Sequence, residues 1–123
     1  MSLDALDIQI DGQHYKSQPV QPVELAYYVN GTPCFCKLAK YLTRDKGDKL
    51  VNLQKALHCI TLEEALVGFV HKGLPSNNHT YWINKFTNHI GIRDALMCMR
   101  EFDYEQAKKA VIRYSITQGF VLT

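Results

Sequence analysis

Residues 32–44, Thr32-Pro33-Cys34-Phe35-Cys36-Lys37-Leu38-Ala39-Lys40-Tyr41-Leu42-Thr43-Arg44, decide the fold. Threonine is a preferred N-cap, and the fixed φ of Pro33 suits the first helical position, so a helix is expected to start here. At about 100° per residue, Cys34, Phe35, Leu38, Ala39, Tyr41 and Leu42 gather on one side while Lys37, Lys40 and Arg44 gather on the other. One face is therefore core and the other a basic ridge. A half-apolar helix of this kind has to be covered by other elements, and the rest of the chain supplies more helices.

Upstream, Pro22 opens a short helix over 23–29 that Asn30-Gly31 stops. The stretch 1–21, with Gly12 and Pro19, has no sustained period and reads as an extended arm, in which Asp7-Ile8-Gln9-Ile10 alternates as a short strand would. Downstream, Asp45-Lys46-Gly47 breaks the chain and Asp48 caps a helix over 48–60, with Leu50, Leu53, Leu57 and Ile60 on its stripe. Thr61-Leu62-Glu63-Glu64 has the form of a capping box and predicts a separate helix over 61–71. Gly73-Leu74-Pro75-Ser76-Asn77-Asn78 is a loop. Beyond it, helices are expected over 79–90 (Trp82, Ile83, Phe86, Ile90), 92–102 (Ile92, Leu96, Met99) and 103–118, the last opened by Asp103-Tyr104-Glu105-Gln106. The prediction is an all-α fold, a bundle of about six short helices in one domain over 1–123, with 22–72 and 78–120 as two halves of one core. Leu38, Leu42, Leu53, Leu57, Trp82, Phe86, Leu96 and Val111 are its expected buried residues.

A chain of 123 residues can bury roughly two-thirds of its unfolded surface in one core, and either a monomer or a small homo-oligomer fits that length. The composition, 46% hydrophobic and 21% charged, excludes a disordered polymer. No apolar run approaches the ~20 residues of a membrane span and no signal pattern opens the chain, so no membrane role and a cytoplasmic location are expected. Met1-Ser2-Leu3 is given no functional weight. Four cysteines without a secretory signal read as reduced thiols. Cys34 and Cys36 with His58 and Cys59 could be gathered into a zinc set, but their spacing is not that of a structural site, and no metal site is predicted. Met97, Cys98 and Met99 read as packing, and so does Trp82, three residues after His79, although an indole can also stack on a base.

The net charge of +2 does not announce nucleic acid, which makes it an improbable partner. The charge is unevenly placed, however. From Lys37 to Lys55 six basic residues (Lys37, Lys40, Arg44, Lys46, Lys49, Lys55) stand against Asp45 and Asp48. Lysine offers a mobile point charge and arginine a planar fork, two complementary ways of holding phosphate oxygens. A solvated helix face is the plainer alternative.

His14-Tyr15, Gln21-Pro22-Val23-Glu24, Lys40-Tyr41-Leu42-Thr43-Arg44, Lys46 and Leu53-Gln54-Lys55-Ala56 follow one another in an order that resembles the small SaV-like proteins of phages and prophages. That family carries His-Tyr, Pro-Ile-Glu, Lys-Tyr-x-x-Arg, Lys and Asp-Leu-x-Lys-Ala, and its module is similar to the C-terminal part of a phage nucleotide kinase. The resemblance spans about 13–60. Lys37, Lys40 and Arg44, at i, i+3 and i+7, share one helix face that converges on a phosphate-sized space; with that face, the resemblance implies a phage or prophage accessory protein in the host cytoplasm that binds a nucleotide or other phosphate ligand through Lys37, Lys40, Arg44 and Lys46, with His14, Tyr15, Glu24 and Tyr41 in support. Mg²⁺ would enter only with a bound nucleoside phosphate. Two departures stand out: Cys36-Lys37 replaces the family's Gly-Asn, and Asn52 replaces the acid before Leu-x-Lys-Ala. Losing that carboxylate weakens the case for metal-assisted transfer, and there is no G-x-x-x-x-G-K-[ST] loop. Whether the chain is an enzyme stays open at this point, and catalytic residues are not assigned. The alternative is a non-enzymatic inhibitor or adaptor of host machinery, acting on a host protein or by sequestering a signalling nucleotide.

Overall fold

The computed structural model describes residues 19–75 and 78–122. The protein is an all-α bundle: α1 (Pro22–Tyr28), α2 (Pro33–Thr43), α3 (Lys49–Ala65), a 3₁₀ turn (Val67–Phe69), α4 (His79–Phe86), α5 (Ile90–Arg100) and α6 (Tyr104–Thr117), with no strand among the described residues. The expected arm residues His14 and Tyr15 and the strand at Asp7 to Ile10 lie outside the described residues. No helix among the described residues is long and apolar enough to cross a membrane.

Local chemistry explains most of the boundaries. Thr32 Oγ1 accepts the Phe35 N–H at 3.0 Å with Pro33 behind it, and Asp48 Oδ1 accepts the Val51 N–H at 3.1 Å, so both expected caps form. Asp48→Ala should cost about 1 kcal/mol, the usual worth of a cap, read as a lower urea midpoint at constant slope. A midpoint equal to wild type would mean that this bond contributes nothing. Asp103 Oδ1 accepts the Gln106 N–H at 3.2 Å at the start of α6. The end of α1 is a Schellman closure on Asn30 at φ +54°, with the Gly31 N–H on the Ala26 carbonyl at 2.8 Å and the Asn30 N–H on that of Tyr27.

Two predicted boundaries are corrected. The helix expected to restart at Thr61 does not: α3 runs unbroken to Ala65, and the remainder of 61–71 holds only the 3₁₀ turn. A threonine hydroxyl can cap a helix or bond back to the turn before it. Here Thr61 Oγ1 lies 3.4 Å from the Leu57 carbonyl, Ile60 and Glu63 are buried, and Glu64 takes Lys108 of α6 at 2.5 Å instead of closing a box. The helix expected over 79–90 stops at Phe86, and α5 begins at Ile90 rather than 92. Thr87 turns extended, its hydroxyl accepts the His89 N–H, and His89 Nδ1 accepts the Gly91 N–H, both at 3.1 Å. Two polar side chains thus cap a break that the apolar stripe conceals, and Ile90, placed on that stripe, is 63% exposed.

Packing pairs α2 with α3 and α5 with α6, and α3 on α6 and α2 on α5 join the two pairs. Elements before and after the 73–78 loop therefore contribute to the same buried cluster. Leu38, Leu42, Leu53, Leu96 and Val111 are essentially inaccessible and Phe86 is buried. Leu57 and Trp82 fall short of the expectation and are half-buried. Trp82 packs on Tyr28, ring centroids 4.2 Å apart, and meets Tyr81 edge-on at 5.0 Å. At Gly91 α5 lies close against α6, since a β-carbon there would lie 3.0 Å from Tyr114 Cδ1.

Candidate functional site

The ridge on α2 divides along its length. Lys37 is exposed, and its charge, with that of Lys40, acts on Cys36, where burial raises the thiol pKa more than the two cations lower it. Lys40 Nζ stands 5.4 Å from the Tyr41 ring centroid, and Lys55 Nζ, from α3, 5.6 Å from the same ring. Arg44, the C-cap of α2, turns elsewhere. It lines a cleft of about 320 Å³ with Leu42, Thr43, Asp45, Gly47, Lys49, Asn52, Ile92 and Tyr114. Lys37 and Lys40 are not part of that lining.

The loop beneath the cleft is held from α3. Asn52 is buried, and its Nδ2 donates to the Lys46 carbonyl at 3.0 Å. A carboxylate at 52 could not donate, so it is the asparagine amide that anchors this loop. Gly47, at φ +83°, supplies the left-handed turn. Lys49 Nζ is 5.6 Å from the Tyr114 ring, which His89 meets edge-on at 4.8 Å. The wall hydroxyl, Thr43 Oγ1, donates to the Ala39 carbonyl at 2.8 Å. The cleft therefore presents a planar cation, a mobile cation, an apolar wall and one carboxylate, Asp45.

Glu24 has structural partners for both oxygens: Oε1 accepts the Gln21 N–H at 3.1 Å and Oε2 accepts the Tyr28 hydroxyl, a bond that raises the Tyr28 pKa. All four thiol pKa values are raised, burial being the largest cause in each, and Cys59 is pushed up to about 11, so none is an activated thiolate. Among the described residues no group of three or more His, Cys, Asp or Glu side chains is placed to hold a metal.

A second constellation escaped the sequence reading. Arg100 and Glu63, at 6% and 2% exposure, are buried between α3, α5 and the end of α1. Arg100 Nε donates to the Val29 carbonyl at 2.6 Å and Nη2 to that of Leu74 at 3.2 Å. Glu63 Oε1 accepts the Thr32 hydroxyl, while Oε2 and the Tyr104 hydroxyl have no partner of good geometry. Burial lowers the Arg100 pKa and the Glu63 charge opposes that shift, while burial, then a hydrogen-bonding approach to Glu63 and the charge of that carboxylate, drive the Tyr104 pKa upward, so the two atoms without ideal geometry answer each other. No local pattern marks these residues, because each is an ordinary polar helix residue until the fold buries it. No family model, curated protein or solved structure matches the chain.

Proposed function

We propose that this chain binds a phosphate-bearing small molecule, a nucleotide by preference, in the cleft between the end of α2, the start of α3 and the α5–α6 pair. One observation carries the reading: Arg44 and Lys49 line the same cleft, against the apolar wall of Ile92 and Tyr114. A guanidinium fork and an ammonium on one hollow match the oxygens of a phosphate. At about 320 Å³ the hollow is near the small end of ligand pockets, enough for a phosphate and part of a sugar. Binding without turnover fits the lining best, since phosphoryl transfer needs a metal held on the phosphates and an aligned acceptor. The resemblance to SaV-like proteins adds the setting, an accessory protein of a phage or prophage acting in its host.

Arg44→Ala should weaken nucleotide binding by about 1.5–3 kcal/mol, the worth of a charge-assisted hydrogen bond, with the fold intact. Lys37→Ala should change it far less, because Lys37 is outside the lining. Calorimetric titration with phosphate, nucleoside mono-, di- and triphosphates and cyclic dinucleotides, with and without Mg²⁺, tests both. No heat with any of them from folded protein would end the phosphate reading and favour the adaptor, whose basic ridge would meet an acidic protein.

A further inference from the structure

We infer that the chain is a doubled three-helix unit, and that the surface between the α2–α3 corner (Thr43, Asp45) and the start of α5 (Thr87 to Ile90) is the seat of its own residues 13–18, which lie outside the described residues. Seated there, His14 and Tyr15 cover the open side of the Arg44 cleft. The seat is a property of the free chain, and only the effect of the cover on a ligand rests on the phosphate reading.

The doubling is read from the helices. α1, α2 and α3 match α4, α5 and α6 in order, and the packings exchange under that match. α2 on α3 becomes α5 on α6, α1 on α2 becomes α4 on α5, and α1 on α4, α2 on α5 and α3 on α6 each map onto themselves. That is the pattern of a two-fold dimer written into one chain. α2 and α5 are both 11 residues long, and each buried residue of α2 (Phe35, Leu38, Ala39, Leu42) has a buried residue at the same place in α5 (Ile92, Ala95, Leu96, Met99). α3 and α6 both open on an aspartate cap, Asp48 and Asp103, whose Oδ1 accepts the N–H of Val51 and of Gln106.

In one unit the matching seat is filled. The segment that leads into α4 crosses the end of α1 and the start of α2. Its Pro75 carbonyl accepts from Asn30 Nδ2 at 2.6 Å and its Leu74 carbonyl from Arg100 Nη2 at 3.2 Å, while Val70 and His71 line a hollow with Pro33 and Phe102. The match carries Asn30, Arg100, Pro33 and Phe102 onto Thr87, Thr43, Ile90 and Asp45, and the segment that leads into α1 is residues 13–18. Ile90, apolar and 63% exposed, stands where Pro33 is covered. Val20, 5% exposed, pins the root of the arm to the core.

The register places the cover over the cleft. Tyr15 stands as far before Pro22, the first residue of α1, as Lys72 stands before His79, the first of α4, and His14 likewise matches His71. Lys72 Nζ is 5.8 Å from the rings of Phe102 and Tyr104, whose matches Asp45 and Lys49 both line the Arg44 cleft. Seat and cleft adjoin, since His89 meets the ring of Tyr114, another lining residue. An imidazole and a phenol over Asp45 and Lys49 displace water, which strengthens charge contacts beneath them. In the other unit buried Arg100 and Tyr104 stand where Thr43 and Lys49 stand here, so the doubled chain keeps one basic cleft.

The test uses the full wild-type chain, labelled with ¹³C and ¹⁵N and free of ligand. Nuclear Overhauser contacts should join protons of residues 13–18 to the methyl groups of Thr87 and Ile90, unchanged on dilution. Ile90→Asp, at a side chain already in water, should abolish them while the contacts of Ile92 and Leu96 within the core remain. Inorganic phosphate, added next, separates the two readings. Shifts at Arg44 and Lys49 without arm contacts would overturn the seat and keep the cleft, whereas arm contacts without any phosphate shift would keep the seat and end the phosphate reading. Contacts that pass between differently labelled chains in a mixed sample would put the arm of a second copy in the seat. That result, contacts of residues 13–18 with another face, or contacts unmoved by Ile90→Asp would each overturn the inference.

Discussion

Arg100→Ala should lower the free energy of unfolding by about 3–5 kcal/mol, the range for breaking a buried charge arrangement from one side. Three losses add. The Val29 carbonyl, one of those left over at the end of α1, loses its donor at 2.6 Å, and the Leu74 carbonyl loses its donor at 3.2 Å. The Glu63 carboxylate, 2% exposed, then stays buried without the neighbouring positive charge. A second variant separates charge from packing: with Arg100→Met and Glu63→Leu together, no ion is left unbalanced, and much of the loss should return. Urea denaturation of the wild type, both single variants and the double variant measures this directly. A loss below about 1 kcal/mol for Arg100→Ala would show that the guanidinium does not tie α5 to the end of α1.

What the sequence made legible is what short-range chemistry decides. Thr32 with Pro33, Asp48, and the left-handed stop at Asn30 act within a turn of their own position, and the structure shows each in that role. Thr61 was ambiguous for a physical reason, since its hydroxyl serves equally as a cap or as a bond to the preceding turn, and burial of Ile60 and Glu63 against other helices chose the second. The candidate site was legible in composition more than in geometry. Positions i, i+3 and i+7 share a helix face, but which neighbours each side chain meets is set by the helices packed around it. Of the three, Lys40 stands over the Tyr41 ring, and Arg44 is in the lining of the cleft. Its companions Lys49, Asn52, Ile92 and Tyr114 come from three other helices. Helical periodicity can place such residues on a buried or exposed face, but only the packing of α3 and the α5–α6 pair brings them to one point.

Leu53→Ala tests that packing at its centre, with an expected cost of about 2–5 kcal/mol. Leu53 is fully buried on α3, the helix that packs on α2 to one side and α6 to the other. Removing its side chain forfeits the burial of the lost carbons and leaves a cavity whose walls come from several helices, so relaxation by any one of them is limited. Leu57, one turn further on and only half-buried, should lose clearly less on the same truncation, because part of its surface already meets water. Val51, 41% exposed on the same helix, should lose least of the three when cut to alanine. Urea midpoints at constant slope give the ranking. The order Leu53, Leu57, Val51 follows from the face that α3 turns inward. An unchanged midpoint for Leu53→Ala would mean that this face is turned to solvent, and both the cleft, to which α3 contributes Lys49 and Asn52, and the buried Glu63 on the same helix would have to be placed anew.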